Sequence, residues 1–273
     1  MIHFVTFSKD RLPQCELLLR SLFQFHQGEK RVTMLLKVTS SEMQRGYGNL
    51  QRKYEHRVRF VGEKSLTADV QQMVESVEAD ELAFVMDDDV YTQPWGCEDV
   101  EYKRFLADPR ILSLCLRCTP VTDFCFSLHR HSPPPAFRPD RTWFWPSLCN
   151  IAYGGDWGYP HSLDSNVYRR ADILPIIREG KFESVNFLEP ALRPAMKRPL
   201  MICYATPRFL NISNTTVQSS HPQNRDGGMD QGEMNTRFLA GERIALEPLR
   251  EIVPRSAHIS HPYDWEPNPD WDG

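Results

Sequence analysis

Over its first ninety residues the chain alternates apolar strand patterns with amphipathic helix patterns, and the last of those strands runs straight into three aspartates. Ile2 to Phe7 is a short apolar run that reads as a strand. Pro13 then suits the first turn of a helix whose apolar face carries Cys15, Leu18, Leu22 and Phe25. Val32 to Val38 reads as a second strand, and Ser41 to Tyr54 as a polar helix weakened by Gly46 and Gly48. Val58 to Val61 is a third strand. Thr67 is the expected N-cap of a helix with the stripe Val70, Met73, Val74 and Val77. Leu82 to Met86 is a continuous apolar strand bounded by Asp87, Asp88 and Asp89. Such alternation predicts an α/β fold with a mostly parallel sheet and helices on both faces.

The second half is less regular. Ile111 to Leu116 reads as a strand and Ala171 to Glu179 as a helix ended by Gly180. Residues 129–146 hold five prolines among aromatic residues, which predicts a surface loop. Gly154, Gly155 and Gly158 around Trp157 predict a tight turn. Residues 218–232, rich in Ser, Gln, Asn and Gly, predict a mobile loop. Asp230 and Glu233 fit a capping box for a helix ending near Gly241. Arg250 to Ala257 reads as a strand, and the tail from Pro262 as irregular.

Composition narrows the function. With 32 Lys and Arg against 36 Asp and Glu, the net charge of −4 argues against general affinity for nucleic acid. No apolar run approaches the ~18 residues of a membrane span, and no signal peptide is expected at Met1-Ile-His-Phe. Seven cysteines, mostly in apolar surroundings, suit reduced buried thiols in a cytoplasmic protein. Cys115 and Cys118 form one CxxC with no second pair.

Three adjacent carboxylates repel one another unless solvent or a cation relieves them. In open α/β sheets ligands bind outside the carboxyl ends of strands. A hard divalent ion there would take carboxylate oxygens and leave positions for a diphosphate. An acidic solvated turn is the alternative reading.

Phe84-Val-Met-Asp-Asp-Asp-Val90 resembles the DXD motif of GT-A glycosyltransferases, and like theirs it follows three βα units. Ser162-Leu-Asp-Ser-Asn-Val-Tyr-Arg-Arg170 resembles the acceptor-side segment of family 2-like members, Glu189-Pro-Ala-Leu192 part of their ED motif, and Asn235 to Gly241 a segment near the end of bacterial and viral relatives. Ala257-His258 matches a late histidine that completes a metal site. Three departures stand out: residue 188 is Leu where the motif has an acid, Glu189 stands where the base is usually Asp, and His261 competes with His258.

The resemblance implies a single GT-A, Rossmann-like domain over 1–273. A nucleotide-sugar-binding half would span 1–110, an acceptor-binding half 111–261 and a tail 262–273. It implies a Mn²⁺- or Mg²⁺-dependent transfer of a sugar from a UDP- or GDP-linked donor to a glycan or small hydroxyl acceptor, inverting, by a single displacement. Asp87, Asp89 and His258 would hold the metal, Asp87 also reaching ribose, with Asp88 turned to the other side. Glu189, at the N-cap of a helix begun by Pro190, would be the general base, with Asp164 its rival or a sugar contact and Asp156 a weaker candidate. Thr6, Ser8 and Arg11 at the end of the first strand, with Lys37, Lys64 and Asp88, would contact the nucleotide, and Arg225 would close over the diphosphate. Trp143, Phe144, Trp145 and Trp157 would stack on sugar or else form a small core. The competing readings are a phosphatase using an aspartyl nucleophile, a nucleotidyltransferase, and an inactive nucleotide-sugar-binding protein. Tyr91 breaks the phosphatase motif, and the first loop, Phe7 to Pro13, lacks the glycine a nucleotidyltransferase would want.

Overall fold

In the computed structural model, residues 1–144, 155–217 and 226–271 are described. Eight strands form one sheet. In chain order its first four are β1 (Ile2–Lys9), β2 (Lys30–Lys37), β3 (Arg59–Gly62) and β4 (Glu81–Met86). A short β5 (Asp89–Tyr91) lies outside it, and β6 (Ile111–Cys115), β7 (Thr142–Phe144), β8 (Asn166–Arg169) and β9 (Leu200–Cys203) complete it. The order across the sheet is β7-β9-β6-β8-β4-β1-β2-β3. β1, β2, β3 and β4 run parallel, as do β6 and β9, while β8 is antiparallel to both its neighbours and β7 to β9. The fold is therefore mixed α/β with a mostly parallel, Rossmann-like sheet, as the alternation predicts.

The register follows from burial on both faces. Along β1, Ile2 and Phe4 enter one core while Val5 and Phe7 enter the other, so successive side chains serve opposite sides of the sheet. Helix α1 (Leu12–Phe25) covers the first face with Leu12, Cys15, Leu18 and Leu22, each fully buried. Each such leucine contributes about 1.5–3 kcal/mol relative to exposure. α2 (Ser41–Tyr54) packs on the same side. Ser40 caps it by accepting the Met43 N–H, and Arg52 and Lys53 complement its C-terminal dipole. Gly46 is what lets α2 approach: a Cβ there would lie 2.3 Å from Leu12 Cδ1. α3 (Leu66–Glu75), α5 (Arg170–Glu179) and α6 (Val185–Ala191) bury the opposite face, and α4 (Val100–Ala107) packs beside β6.

A second, three-stranded sheet follows the order β12-β10-β5, where β10 is Phe209–Ile212 and β12 is His258–Ile259. It brings Asn211 opposite both Asp89 and His258. α7 (Gln231–Leu239) begins at Asp230, whose carboxylate accepts the Glu233 N–H, and β11 (Glu242–Ile244) pairs with β13 (Trp265–Pro267).

Several local expectations are corrected. The proline-rich 129–146 stretch is not all loop: Thr142–Phe144 is the edge strand β7, because Thr142 and Trp143 are buried against β9. The N-cap of α3 is Ser65, and Thr67 lies inside the helix with its hydroxyl donating to the Phe182 carbonyl. Pro190 does not open a helix. α6 starts after Ser184, and Glu189 sits in its last turn, so no helix N-terminus acts on that carboxylate. Residues 250–257 hold the end of a 3₁₀ turn (Glu247–Glu251) instead of a strand. The tail pairs through β13. Trp145, Cys149, Gly154 and Arg225, with most of the expected 218–232 loop, lie outside the described residues. Among the described residues no helix is long and apolar enough to cross a membrane, and the six described cysteines carry no disulfide.

Candidate active site

β1 and β4 are parallel neighbours paired from Ile2–Glu81 to Phe7–Met86, so whatever follows Phe7 meets whatever follows Met86. That places Ser8, Lys9 and Arg11 beside Asp87 and Asp88 at the carboxyl edge of the sheet. A cleft of about 820 Å³ opens there. Ser8, Lys9, Arg11, Asp87, Asp88, Asp164, Glu189, Asn211 and His258 all line it.

The turn after β4 sorts the three aspartates. Asp89, fully buried, accepts the Met86 N–H on Oδ2 at 2.9 Å and the Asn211 Nδ2–H on Oδ1 at 2.9 Å. It holds the turn and is not among the residues lining the cleft. Burial, with Asp164 and Asp88 nearby, pushes its carboxyl well above the usual range. Asp87 Oδ1 accepts Arg11 Nη1–H at 2.8 Å, and its Oδ2 accepts the Lys9 N–H at 3.3 Å. Asp88 Oδ2 accepts the same Arg11 Nη1–H at 3.2 Å, so Asp88 faces the cleft with Asp87. Burial raises the Asp88 pKa, Arg11 opposing it.

Asn211, which the sequence marks only as the start of an N-x-S sequon, fixes the far side. Its Nδ2 donates to Asp88 Oδ1 at 3.2 Å and to Asp89 Oδ1 at 2.9 Å, which leaves Oδ1 to accept from His258 Nδ1 at 2.9 Å. In the neutral ring His258 Nε2 is then an acceptor, and it faces Asp164 Oδ2 at 3.6 Å.

Glu189 receives Leu163 N–H on Oε1 at 2.8 Å and Tyr159 O–H on Oε2 at 3.0 Å. Loss of solvent, then the Asp164 charge, pushes its pKa up to about 7. Asp164 is itself oriented by the Ser162 hydroxyl at 2.8 Å. Arg117, buried, donates to the Asp156 and Tyr159 carbonyls and so fixes the loop that carries Tyr159. Arg117, Tyr159 and Asn211 are among the lining residues that sequence reasoning does not place in the site; their types are common and no local pattern marks them for that role.

The remaining expected residues fall as follows. Ser8 Oγ pairs with Tyr47 OH at 2.7 Å. Thr6 is buried, with its hydroxyl on the Thr33 carbonyl, and does not line the cleft. Lys37 lines it but is paired with Glu63 at 2.7 Å. Lys64 does not line it; its backbone N–H donates to Asp69. Asp156 lines it while accepting the Ala257 N–H at 3.1 Å. His261 is outside the lining, with its backbone tied to Asn214. Trp143, Trp157 and Phe137 meet edge to face at 5.2–5.7 Å, with both tryptophans buried: they form core instead of a sugar platform. Among the described residues, no group of three His, Cys, Asp or Glu side chains is placed to hold a metal ion unaided.

No protein-family model and no curated protein sequence matches the chain. Among solved structures, residues 1–349 of TarS from S. aureus match 76% of this chain at 14% identity and a TM-score of 0.50, the chain covering 59% of that structure. A longer TarS structure matches 74% of the chain at 14% identity and a TM-score of 0.45, with 36% of its own length covered. The mannosyltransferase PcManGT from Pyrobaculum calidifontis, in complex with GDP-Man and Mn²⁺, matches 76% at 10% identity and a TM-score of 0.44, with 57% covered. The chain thus spans a little over half of the TarS 1–349 structure, and over that span it shares its fold, a Rossmann-like arrangement of the GT-A type.

Proposed function

We propose that the cleft binds a sugar carried on a nucleoside diphosphate and transfers it, with inversion, to a hydroxyl of a glycan or other small acceptor. One observation carries this reading. The Asp87–Asp88 turn and the Glu189 carboxylate line a single cleft at the carboxyl ends of β1 and β4, and a carboxylate with a pKa of about 7 suits a base working near neutrality. On this reading Glu189 takes the proton of the acceptor hydroxyl as its oxygen attacks the anomeric carbon. The bond from that carbon to the phosphate oxygen breaks, and its electron pair leaves with the diphosphate. Leu163 N–H and Tyr159 O–H orient the base.

The donor set suits a divalent cation completed by the substrate. Asp164 Oδ2 and His258 Nε2 lie 3.6 Å apart, and Asp88 faces the same cleft. Mg²⁺-like ions commonly take one or two protein ligands plus substrate phosphates. The carboxylates of Asp87, Asp88, Asp156, Asp164 and Glu189, with Glu63 and Glu183, outnumber the cations of Lys9, Arg11, Lys37 and Arg117 along the cleft. A diphosphate entering that field needs additional positive charge. Bound there, Mn²⁺ or Mg²⁺ would offset the charge that develops on the leaving diphosphate.

The test is thermal unfolding of the chain with a panel of UDP- and GDP-linked sugars, with and without Mn²⁺. One nucleotide class should raise Tm in a Mn²⁺-dependent way, because a ligand at a hundred times its Kd stabilises by about 2.7 kcal/mol. The stabilising donor should then release its nucleoside diphosphate when an acceptor is added. A panel that leaves Tm unchanged overturns the proposal.

A further inference from the structure

We propose that Arg11 is the resident counter-ion of the Asp87–Asp88 turn and the gate for the divalent cation, which binds tightly only together with a nucleoside diphosphate that draws the guanidinium onto its phosphates. The inference rests on reading the cleft as a donor site.

Arg11 stands between β1 and α1, after Asp10 in the left-handed conformation (φ 51°). That turn drives its side chain into the sheet edge, where it is only 8% exposed. Nη1 lies 2.8 Å from Asp87 Oδ1 and 3.2 Å from Asp88 Oδ2, so the guanidinium already sits where these two acids would grip an ion. Nη2 donates to the Thr215 carbonyl. The Nε–H is buried without an acceptor. The side chain is therefore held but not satisfied, and an unmade hydrogen bond in a buried site is a standing cost.

An ion arriving alone at Asp88 must push Arg11 away from both acids and leave a guanidinium stranded beside a second positive charge. At the Asp164–His258 pair it finds two donors, and no described residue completes a set of three. A diphosphate removes both obstacles. Its oxygens complete the ion's coordination, and they offer the planar Arg11 guanidinium a bidentate partner in exchange for the acids it leaves. Each ligand thus strengthens the other, and by linkage the factor is the same in either direction. Lys9 lies next to this exchange, with Nζ on the Val217 carbonyl at 2.8 Å, so a second cation faces the phosphates from the same side of the cleft.

Isothermal titration calorimetry tests the gate with Mn²⁺ and with UDP and GDP as probes. Wild-type chain should take up Mn²⁺ weakly by itself and roughly 5- to 150-fold more tightly once UDP or GDP is saturating, the ordinary range for coupled sites. Arg11→Met, checked for folding by circular dichroism, should bind Mn²⁺ alone more tightly than wild type and should bind the diphosphate less well. Arg11→Lys, which keeps a cation near the acids, should hold Mn²⁺ affinity near the wild-type level. Should wild type bind Mn²⁺ alone as tightly as with the diphosphate, the gate is overturned and the donor site stands. That comparison needs no variant. Should neither diphosphate bind with Mn²⁺ present, the donor site itself falls, and the gate with it.

Discussion

The hydroxyl of Tyr159 donates to Glu189 Oε2 at 3.0 Å, and Arg117 in turn holds the Tyr159 carbonyl at 2.9 Å. A bond donated to a carboxylate favours its ionised form. Tyr159→Phe removes that bond, so the Glu189 pKa should climb above about 7. Because the base works only when deprotonated, the rising limb of a pH–rate profile for donor turnover should move to higher pH in Tyr159→Phe. An unmoved limb would separate Glu189 from the proton transfer.

Glu189 also predicts how stability changes with pH. Its folded pKa, raised to about 7 from an ordinary 4.5, means that the folded chain holds this proton more tightly than the unfolded chain. Stability should therefore be full below about pH 4.5 for this group and decline as pH rises toward 7. Glu189→Gln removes the charge and should be more stable than wild type at pH 8 by roughly 1–3 kcal/mol, with little difference at pH 4.5. Urea unfolding at the two pH values measures it, and the same variant should lose sugar transfer by roughly 10²–10⁴-fold.

Asn211 bridges Asp88, Asp89 and His258. Asn211→Ala should cost about 1–3 kcal/mol, the penalty for leaving buried polar partners unmet. It should also weaken Mn²⁺ binding in the presence of UDP or GDP, since His258 loses the contact that aims its ring. Calorimetry on a variant verified as folded reads the second effect apart from the first.

Gly46 gives a test of sign. Helix propensity alone says that Gly→Ala within α2 stabilises by about 1 kcal/mol. The 2.3 Å approach of Leu12 Cδ1 to the Cβ position says that Gly46→Ala destabilises, by about 1–3 kcal/mol. Chemical unfolding of this single variant distinguishes the two.

The first half of the fold is legible because β1, β2 and β4 are buried on two faces and α2 and α3 on one, so hydrophobic periodicity there reports the structure almost directly. The aspartate turn is legible for the same reason, as it follows the continuous apolar run Leu82 to Met86, but strand alternation misassigns its members: the turn buries Asp89 and leaves Asp88 on the cleft with Asp87. Thr142–Phe144 is hidden by its prolines, since an edge strand tolerates neighbours that a central strand would not. The place of Glu189 in its helix is misjudged because Pro190 is a permissive residue near either end of a short helix. Asn211 and Tyr159 escape notice because their roles arise from pairing across long chain separations, 123 residues in the case of Asn211 with Asp88.

β8 is four residues long, yet among the described residues it alone joins the β6–β9 half of the sheet to β4. A fragment that stops before residue 166 would carry β4 as a bare apolar margin, with its backbone donors and acceptors open to any passing strand. Such a truncated chain should self-associate, and a ribosome still making residues 87 to 165 carries that same hazard until β8 has emerged.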